Sequence, residues 1–153
     1  MSQLPNKRWL AYCVLAFPTL VMATPSCKEA AESLNRHMSP AINAAELADM
    51  LSTLNQTQNR SLPPKFVTKQ QAKEAGWRPG KSLWSAPALQ GKSIGGDRFG
   101  NREGRLPRGK WREADLDYQG GKRGAKRLLY SPDGQRQVTV DHYETFTEVP
   151  ACR

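Results

Sequence analysis

The chain has 153 residues, with 23 Lys and Arg against 14 Asp and Glu, and a formal net charge of +9. That length makes one ordinary domain, large enough to bury a single core. The charge draws the protein to polyanions, whether nucleic acid, anionic membranes or acidic cell-wall polymers, without choosing among them. Its two histidines, His37 and His142, lack metal-ligand spacing, which argues against a metal centre.

Residues 1–23 run from Lys7 and Arg8 through an apolar segment at 9–22 to the small residues Val21 and Ala23. This is the pattern of a secretory signal peptide cleaved after Ala23. A membrane anchor is the alternative, but about 14 apolar-leaning residues broken by Pro18 fall short of the roughly 20 that a span needs. Without Lys7 and Arg8 the mature chain keeps 21 basic residues against 14 acidic ones, a charge of +7. Residues 24–40 are of mixed polarity and read as a loose lead-in to a domain at 41–153.

Ser39-Pro40 is one helix-start signal, and Asn43 with Glu46 is a second. Leu47, Met50, Leu51 and Leu54 follow at i, i+3, i+4 and i+7, the stripe of an amphipathic helix. Pro63 and Pro64 end the polar stretch behind it. A shorter helix starts at Thr68, whose spacing to Gln71 fits a capping box, and stops at Gly76. Lys69 in its first turn opposes the helix dipole, so it is either a solvated side chain or a phosphate ligand.

Residues 78–107 are rich in Gly, Pro and Ser and read as loops with brief regular pieces. Short alternating runs then occupy 111–118, 126–131 and 135–147, separated by Gly120-Gly121 and by the turn sequence SPDG at 131–134. Helices first and an antiparallel meander second make an α+β domain, with helices packed on a twisted antiparallel sheet. The chain shows no internal repeat and no long low-complexity tract.

Cys13 leaves with the signal peptide. Cys27 and Cys152 remain, one towards each end of a chain bound for a disulfide-permitting compartment. Domain ends are often close in space, so one bridge between them is expected. The alternative, a reactive or metal-binding thiol pair, has no nearby His and no CxxC spacing.

In WREADLDY (111–118), GKRGAKRLLY (121–130) and VTVDHYETFT (138–147), Glu113, Arg123 with Arg127, and His142 each fall on one parity of a strand pattern. Metal-free cleavage of a phosphodiester needs a base for the nucleophile, an acid for the leaving oxygen and cations for the phosphoryl charge. Glu113 suits the base. His142, with an ordinary pKa of about 6.5, suits the acid. Arg123 and Arg127 offer donor forks that match phosphate oxygens, and Asp115 is placed to hold them. A salt-bridge ladder on a solvated sheet face would use the same residues. In GDRFGNREGRLP (96–107), Glu103 could accept both donors of a guanine edge while backbone N–H groups serve its O6, but an ordinary surface turn reads the same way.

The segments KSIGGDRFGNREGRLP (92–107), WREADLDY (111–118), KRLLYSPD (126–133) and DHYETFT (141–147) closely resemble the secreted guanine-preferring bacterial ribonucleases, the barnase-like microbial ribonucleases. The similarity runs from about Leu47 to Val149 and includes TKQQAKEAGW at 68–77. It implies Glu113 as general base, His142 as general acid, Arg123 and Arg127 as phosphate ligands, and Lys69 as an assistant at the same phosphate. Arg102 and Glu103 match the guanine loop, Asn101 shapes it, and Tyr143 lines the base site. Lys122 departs from an aromatic residue in the best-known member and Gly100 from a serine. Residues 108–110 are a shortened segment, and Cys27 and Cys152 have no counterpart there.

The expectation is therefore an exported, metal-independent endoribonuclease that needs no cofactor and cleaves single-stranded RNA 3′ of guanosine. The family further implies a monomer off the membrane, with RNA as substrate and a barstar-like cytosolic inhibitor protecting the producing cell. Two rivals remain: a non-catalytic basic protein that binds RNA or another polyanion, and a ribonuclease toxin used in competition.

Overall fold

The computed structural model describes Ser2 and residues 12–153; the remainder of the expected signal peptide lies outside the described residues. The first helix is α1, Cys27–Asn35, where a loose lead-in was expected. Ser26 accepts from the Glu29 N–H while the Glu29 carboxylate accepts from the Ser26 N–H, a complete capping box. Cys27, Ala31 and Leu34 then enter the same core as the next helix, so α1 belongs to the packed domain.

Helix α2, Ala44–Gln56, is capped by Asn43, whose side chain accepts from the Glu46 N–H at 3.0 Å. Of the two expected start signals, the second is used. Leu47, Met50, Leu51 and Leu54 are fully buried, so truncating any one to alanine would cost about 2–5 kcal/mol. Helix α3, Lys69–Glu74, begins at Thr68 with the expected Gln71 capping box and gives way to Gly76 at φ 103°.

The strands are β1 (Phe66–Val67), β2 (Ser93–Arg98), β3 (Arg112–Asp115), β4 (Arg127–Tyr130), β5 (Arg136–Thr139) and β6 (Thr147–Glu148). They form one sheet in the order β1-β2-β3-β4-β5-β6. The sheet is mixed rather than antiparallel throughout, because β1 pairs parallel with β2. The long chain between β1 and β2, which contains α3, lets the strand return in the same direction. The other four pairings are antiparallel.

Strand β2 lies inside the stretch expected to be mostly loop, and its Gly95-Gly96 pair explains why it shows no alternation. A Cβ on Gly95 would lie 2.6 Å from Phe66 and 2.9 Å from Leu62, so only glycine allows this close approach. A bulge between Gly95 and Asp97 sets Asp97 opposite Glu113.

Parity divides the sheet into two faces. Ala114, Leu128 and Val138 pack with α1 and α2, burying Leu116, Tyr130 and Val149 with them. The opposite parity aligns Asp115, Arg127 and Thr139 in one row across β3, β4 and β5, and Glu113, Leu129 and Gln137 in the next. The polar face is thus a product of the same alternation that builds the core. Cys27 and Cys152 form a disulfide with Cα atoms 4.7 Å apart, closing a loop 125 residues long in sequence separation.

Candidate active site

Glu113 lies near the centre of that polar face and is 7% exposed. Its Oε2 accepts from the Tyr143 hydroxyl at 2.5 Å, and its Oε1 lies 3.6 Å from the Lys69 ammonium. Lys69 reaches it from the first turn of α3, where its own backbone N–H donates to Asp97 Oδ2 at 3.0 Å. The β2 bulge therefore anchors the helix that delivers the lysine. Asp97 was not singled out in the sequence, since a bulge has no periodic signature.

One strand row away, Asp115 is 2% exposed and holds both arginines. Arg123 donates through Nε and one terminal nitrogen to the two carboxylate oxygens, each at 2.7 Å. Arg127 Nε lies 3.0 Å from Asp115 Oδ1, an ionic contact without hydrogen-bond alignment. Arg127 also donates to the carbonyls of Gly124 and Lys126, both at 2.8 Å. The bond to Asp115 raises the Arg123 pKa against the opposing effect of burial, so its charge is permanent. Only Arg127 is on a strand. Arg123 belongs to the loop before β4 and meets the row through its side chain.

His142 is not on a strand either, because β5 ends at Thr139. The alternation of VTVDHYETFT gives way to a turn organised by Asp141. This carboxylate accepts from Thr139 Oγ1 at 2.9 Å, from the Thr145 N–H at 2.9 Å and from Thr145 Oγ1 at 2.5 Å. Those bonds from Thr145, chiefly, lower the Asp141 pKa. Thr139 Oγ1 in turn accepts from the Tyr143 N–H at 3.0 Å, tying the turn to the Arg127 row. His142 and Tyr143 adopt φ of 55° and 70°, a left-handed conformation that is costly for non-glycine residues and persists where neighbours enforce it. The two rings lie 4.8 Å apart, with the imidazole exposed. Burial first, and then the bond to Glu113, push the Tyr143 phenol up to about 12, so it remains a donor at neutral pH.

The loop ahead of β3 packs on the same turn. Phe99 stacks on Tyr143 at 4.9 Å between centroids, and both join Leu106, Trp111, Leu129 and Phe146. Asn101, at φ 48°, staples its own loop by donating to the Leu106 carbonyl at 2.8 Å and accepting from the Leu106 N–H at 3.0 Å. Arg105 donates to the Tyr143 carbonyl at 2.8 Å. Arg102 and Glu103 stand exposed at the tip, without hydrogen bonds or ion pairs among the described residues. Sequence reasoning missed Phe99 and Arg105. The apolar character of Phe99 beside Gly100 was the available signal, whereas nothing local marks Arg105.

The site thus brings Glu113, Lys69, Tyr143 and His142 together beside Asp115, Arg123 and Arg127, and sets residues 101–103 on the flank formed by Phe99 and Trp111. A buried carboxylate, an exposed imidazole and three cations are thus gathered around Tyr143 and Asp115.

The model of the ribonuclease family matches residues 51–150, and the chain belongs to that family. Ribonucleases of Bacillus intermedius and Bacillus pumilus are each 50% identical over 93 residues, covering 59% of this chain. The matched region spans 57% of the length of either relative. A ribonuclease of Heyndrickxia coagulans is 48% identical over 93 residues, covering 59% of this chain and 84% of its own. A crystal structure of ribonuclease Sa2 with guanosine-2′-cyclophosphate is 29% identical and covers 53% of this chain and 77% of its own. Its TM-score is 0.34, too low to bear on the fold.

Proposed function

We propose that the chain is an exported endoribonuclease that cleaves single-stranded RNA 3′ of guanosine without a metal ion. The observation that carries this reading is Glu113, a buried carboxylate held by the Tyr143 hydroxyl and the Lys69 ammonium beside two arginines organised by Asp115. A salt-bridge ladder would have paired Glu113 with an arginine; here Asp115 takes both arginines. Glu113 accepts the proton of the 2′-OH, and the resulting oxygen attacks phosphorus. His142 gives a proton to the departing 5′-oxygen, leaving a 2′,3′-cyclic phosphate. Arg123, Arg127 and Lys69 stabilise the charge gathering on the phosphoryl oxygens. In the second step the two proton-transfer roles reverse and water opens the ring. DNA lacks the nucleophile and is inert.

Guanine preference is assigned to the loop at 101–103. Glu103 takes the two Watson–Crick donors of the base, while Asn101 holds the loop open towards it. Export is supported by the basic start and apolar run of residues 1–23, and by the Cys27–Cys152 bridge, which suits an oxidising compartment.

The test is cleavage of guanylyl-uridine in excess chelator, with adenylyl-uridine in parallel. Cleavage should persist and favour the guanylyl substrate. Activity abolished by chelation would overturn the metal-free mechanism, and equal rates on the two substrates would overturn the role of the loop.

A further inference from the structure

The sheet face opposite Glu113 is not sealed to its end. Ala114, Leu128 and Val138 pack with α1 and α2, while the next row on that face, Arg112, Tyr130 and Arg136, meets the loop that leaves α2. A pocket of about 560 Å³ opens there between that loop, Gly95-Gly96 and Tyr130. Buried Asn59 donates to the Ser131 carbonyl at 2.8 Å and accepts from Arg136 Nε at 3.1 Å, which fixes the loop to the sheet. Leu62 and Phe66, packed closely on Gly95, give the pocket an apolar floor.

Tyr130 lines this pocket and is 2% exposed, yet its hydroxyl bonds to no protein group among the described residues. Burial raises its pKa, with the Arg112 charge in opposition, so the phenol keeps its proton and can donate. A buried donor left without a protein partner is a docking point for an acceptor from outside the chain. Two exposed cations flank it. Arg60 donates to the Thr57 carbonyl at 3.3 Å and to Gln58 Oε1 at 2.7 Å, and Arg112 to the Gly96 carbonyl at 2.6 Å. Neither forms an ion pair among the described residues. Asp97, which also acts on Tyr130, is engaged by the Lys69 N–H. Arg112 further lines an adjoining pocket of about 240 Å³ with Arg98 and Lys110, so positive charge continues along the surface.

We propose that the Arg60–Arg112–Tyr130 pocket is a second, non-catalytic site for single-stranded nucleic acid. A phosphate is drawn to Arg60 and Arg112, the Tyr130 hydroxyl donates to the same nucleotide, and its base lies on Leu62 and Phe66. Cations along a groove with an apolar floor match a strand whose phosphates repeat and whose bases have flat faces. A bilayer would need apolar side chains that project, whereas Leu62 and Phe66 are half-buried in the floor. Binding here needs none of the catalytic residues, so this goes beyond the ribonuclease reading. It would keep the protein on a long strand between cuts.

The experiment measures fluorescence anisotropy of a labelled oligothymidylate of about eight nucleotides, which carries no guanine and no 2′-OH, on the full mature chain. Excess guanosine 3′-monophosphate occupies the catalytic face throughout. Binding should persist and weaken as salt rises. Tyr130→Phe changes no charge and removes no internal hydrogen bond, and should weaken binding about three- to tenfold. Arg60→Gln/Arg112→Gln should weaken it about tenfold or more, while Lys28→Gln/Arg36→Gln, which removes as much charge from α1 and its cap, should stay within about twofold of wild type. Probe binding abolished by the mononucleotide would overturn the second site. Unchanged binding in Tyr130→Phe, or equal losses in the two charge variants, would overturn it in favour of a general field. Displacement by phosphatidylglycerol vesicles but not by unlabelled oligouridylate would overturn it in favour of a membrane surface. Tyr130→Phe should cleave guanylyl-uridine at the wild-type rate. A wild type that binds the probe in this way and cuts no guanylyl-uridine would lose the ribonuclease reading and keep the second site.

Discussion

The Tyr143 hydroxyl donates to Glu113 Oε2 across 2.5 Å, joining the turn after β5 to the middle of β3. The phenol titrates at about 12 in the fold, against an ordinary value of 10.0. A pKa raised by folding contributes stability that is complete below the unfolded value and is lost as pH rises through the folded one. Tyr143→Phe should therefore be less stable than wild type at pH 8, and the gap should close between about pH 10 and pH 12. Urea midpoints at pH 8 and pH 11.5 measure it. A gap that stays constant over that range would mean that the hydroxyl does not anchor the turn.

Glu113→Gln keeps an oxygen for Tyr143 and removes the basic site. It should lower kcat on guanylyl-uridine by at least about 10²-fold with the circular dichroism spectrum unchanged. His142→Gln should do the same, since the imidazole is exposed and its side chain makes no hydrogen bond among the described residues. Full activity in either variant removes that residue from the proton-transfer pair.

Asp115→Asn leaves two guanidiniums without their carboxylate, one of them on Arg127, which is 4% exposed. Removing one partner of a buried ionic group typically costs about 3–5 kcal/mol, and the partial exposure of Arg123 reduces this. A loss of roughly 2–4 kcal/mol in urea unfolding is expected, with weakened phosphate binding. A change below about 0.5 kcal/mol would mean that the arginines are held by their carbonyl contacts alone.

Glu103→Ala and Asn101→Ala should separate recognition from support. Glu103 has no hydrogen-bond or ion-pair partner among the described residues, so its loss should leave stability within about 0.5 kcal/mol while lowering the guanylyl-to-adenylyl ratio about tenfold or more. Asn101→Ala removes two bonds to Leu106 and should lower both stability and that ratio. Retained preference in Glu103→Ala would move guanine recognition to the backbone.

The parts of this fold that were legible in the sequence are those encoded locally. The cap at Asn43, the Thr68–Gln71 box and the 47–54 stripe each involve neighbours one to seven residues apart, and the structure uses them all. The shared parity of Glu113 and Asp115 was equally readable, as was the pairing of Asp115 with both arginines. Helix α1 carried a readable box at Ser26 and Glu29, and an apolar stripe at Cys27, Ala30, Ala31 and Leu34, but its polar composition masked both. Other features depended on contacts distant in sequence. Gly95 looks like a loop residue until Phe66 and Leu62 are packed above it. His142 looks like a strand residue until Thr139 and Asp141 bend the backbone beneath it. Alternation along a chain cannot distinguish a strand from a turn whose hydrogen bonds come from its own side chains.

The disulfide also changes what cutting the chain can do. Cys27 and Cys152 are bonded, and the flanking backbone pairs alongside them, with Cys27 N–H to the Arg153 carbonyl at 3.3 Å and Arg153 N–H to the Pro25 carbonyl at 2.9 Å. In the chain-entropy picture a loop of this length is worth about 4–5 kcal/mol. Topologically, residues 27–152 form a covalent ring with no free end inside it. A single proteolytic cut in the exposed segment at 108–110 opens the ring without releasing a fragment. On a denaturing gel the nicked protein should run as one species until reductant is added, and only then part into two. After that first cut both halves of the candidate site stay on one molecule.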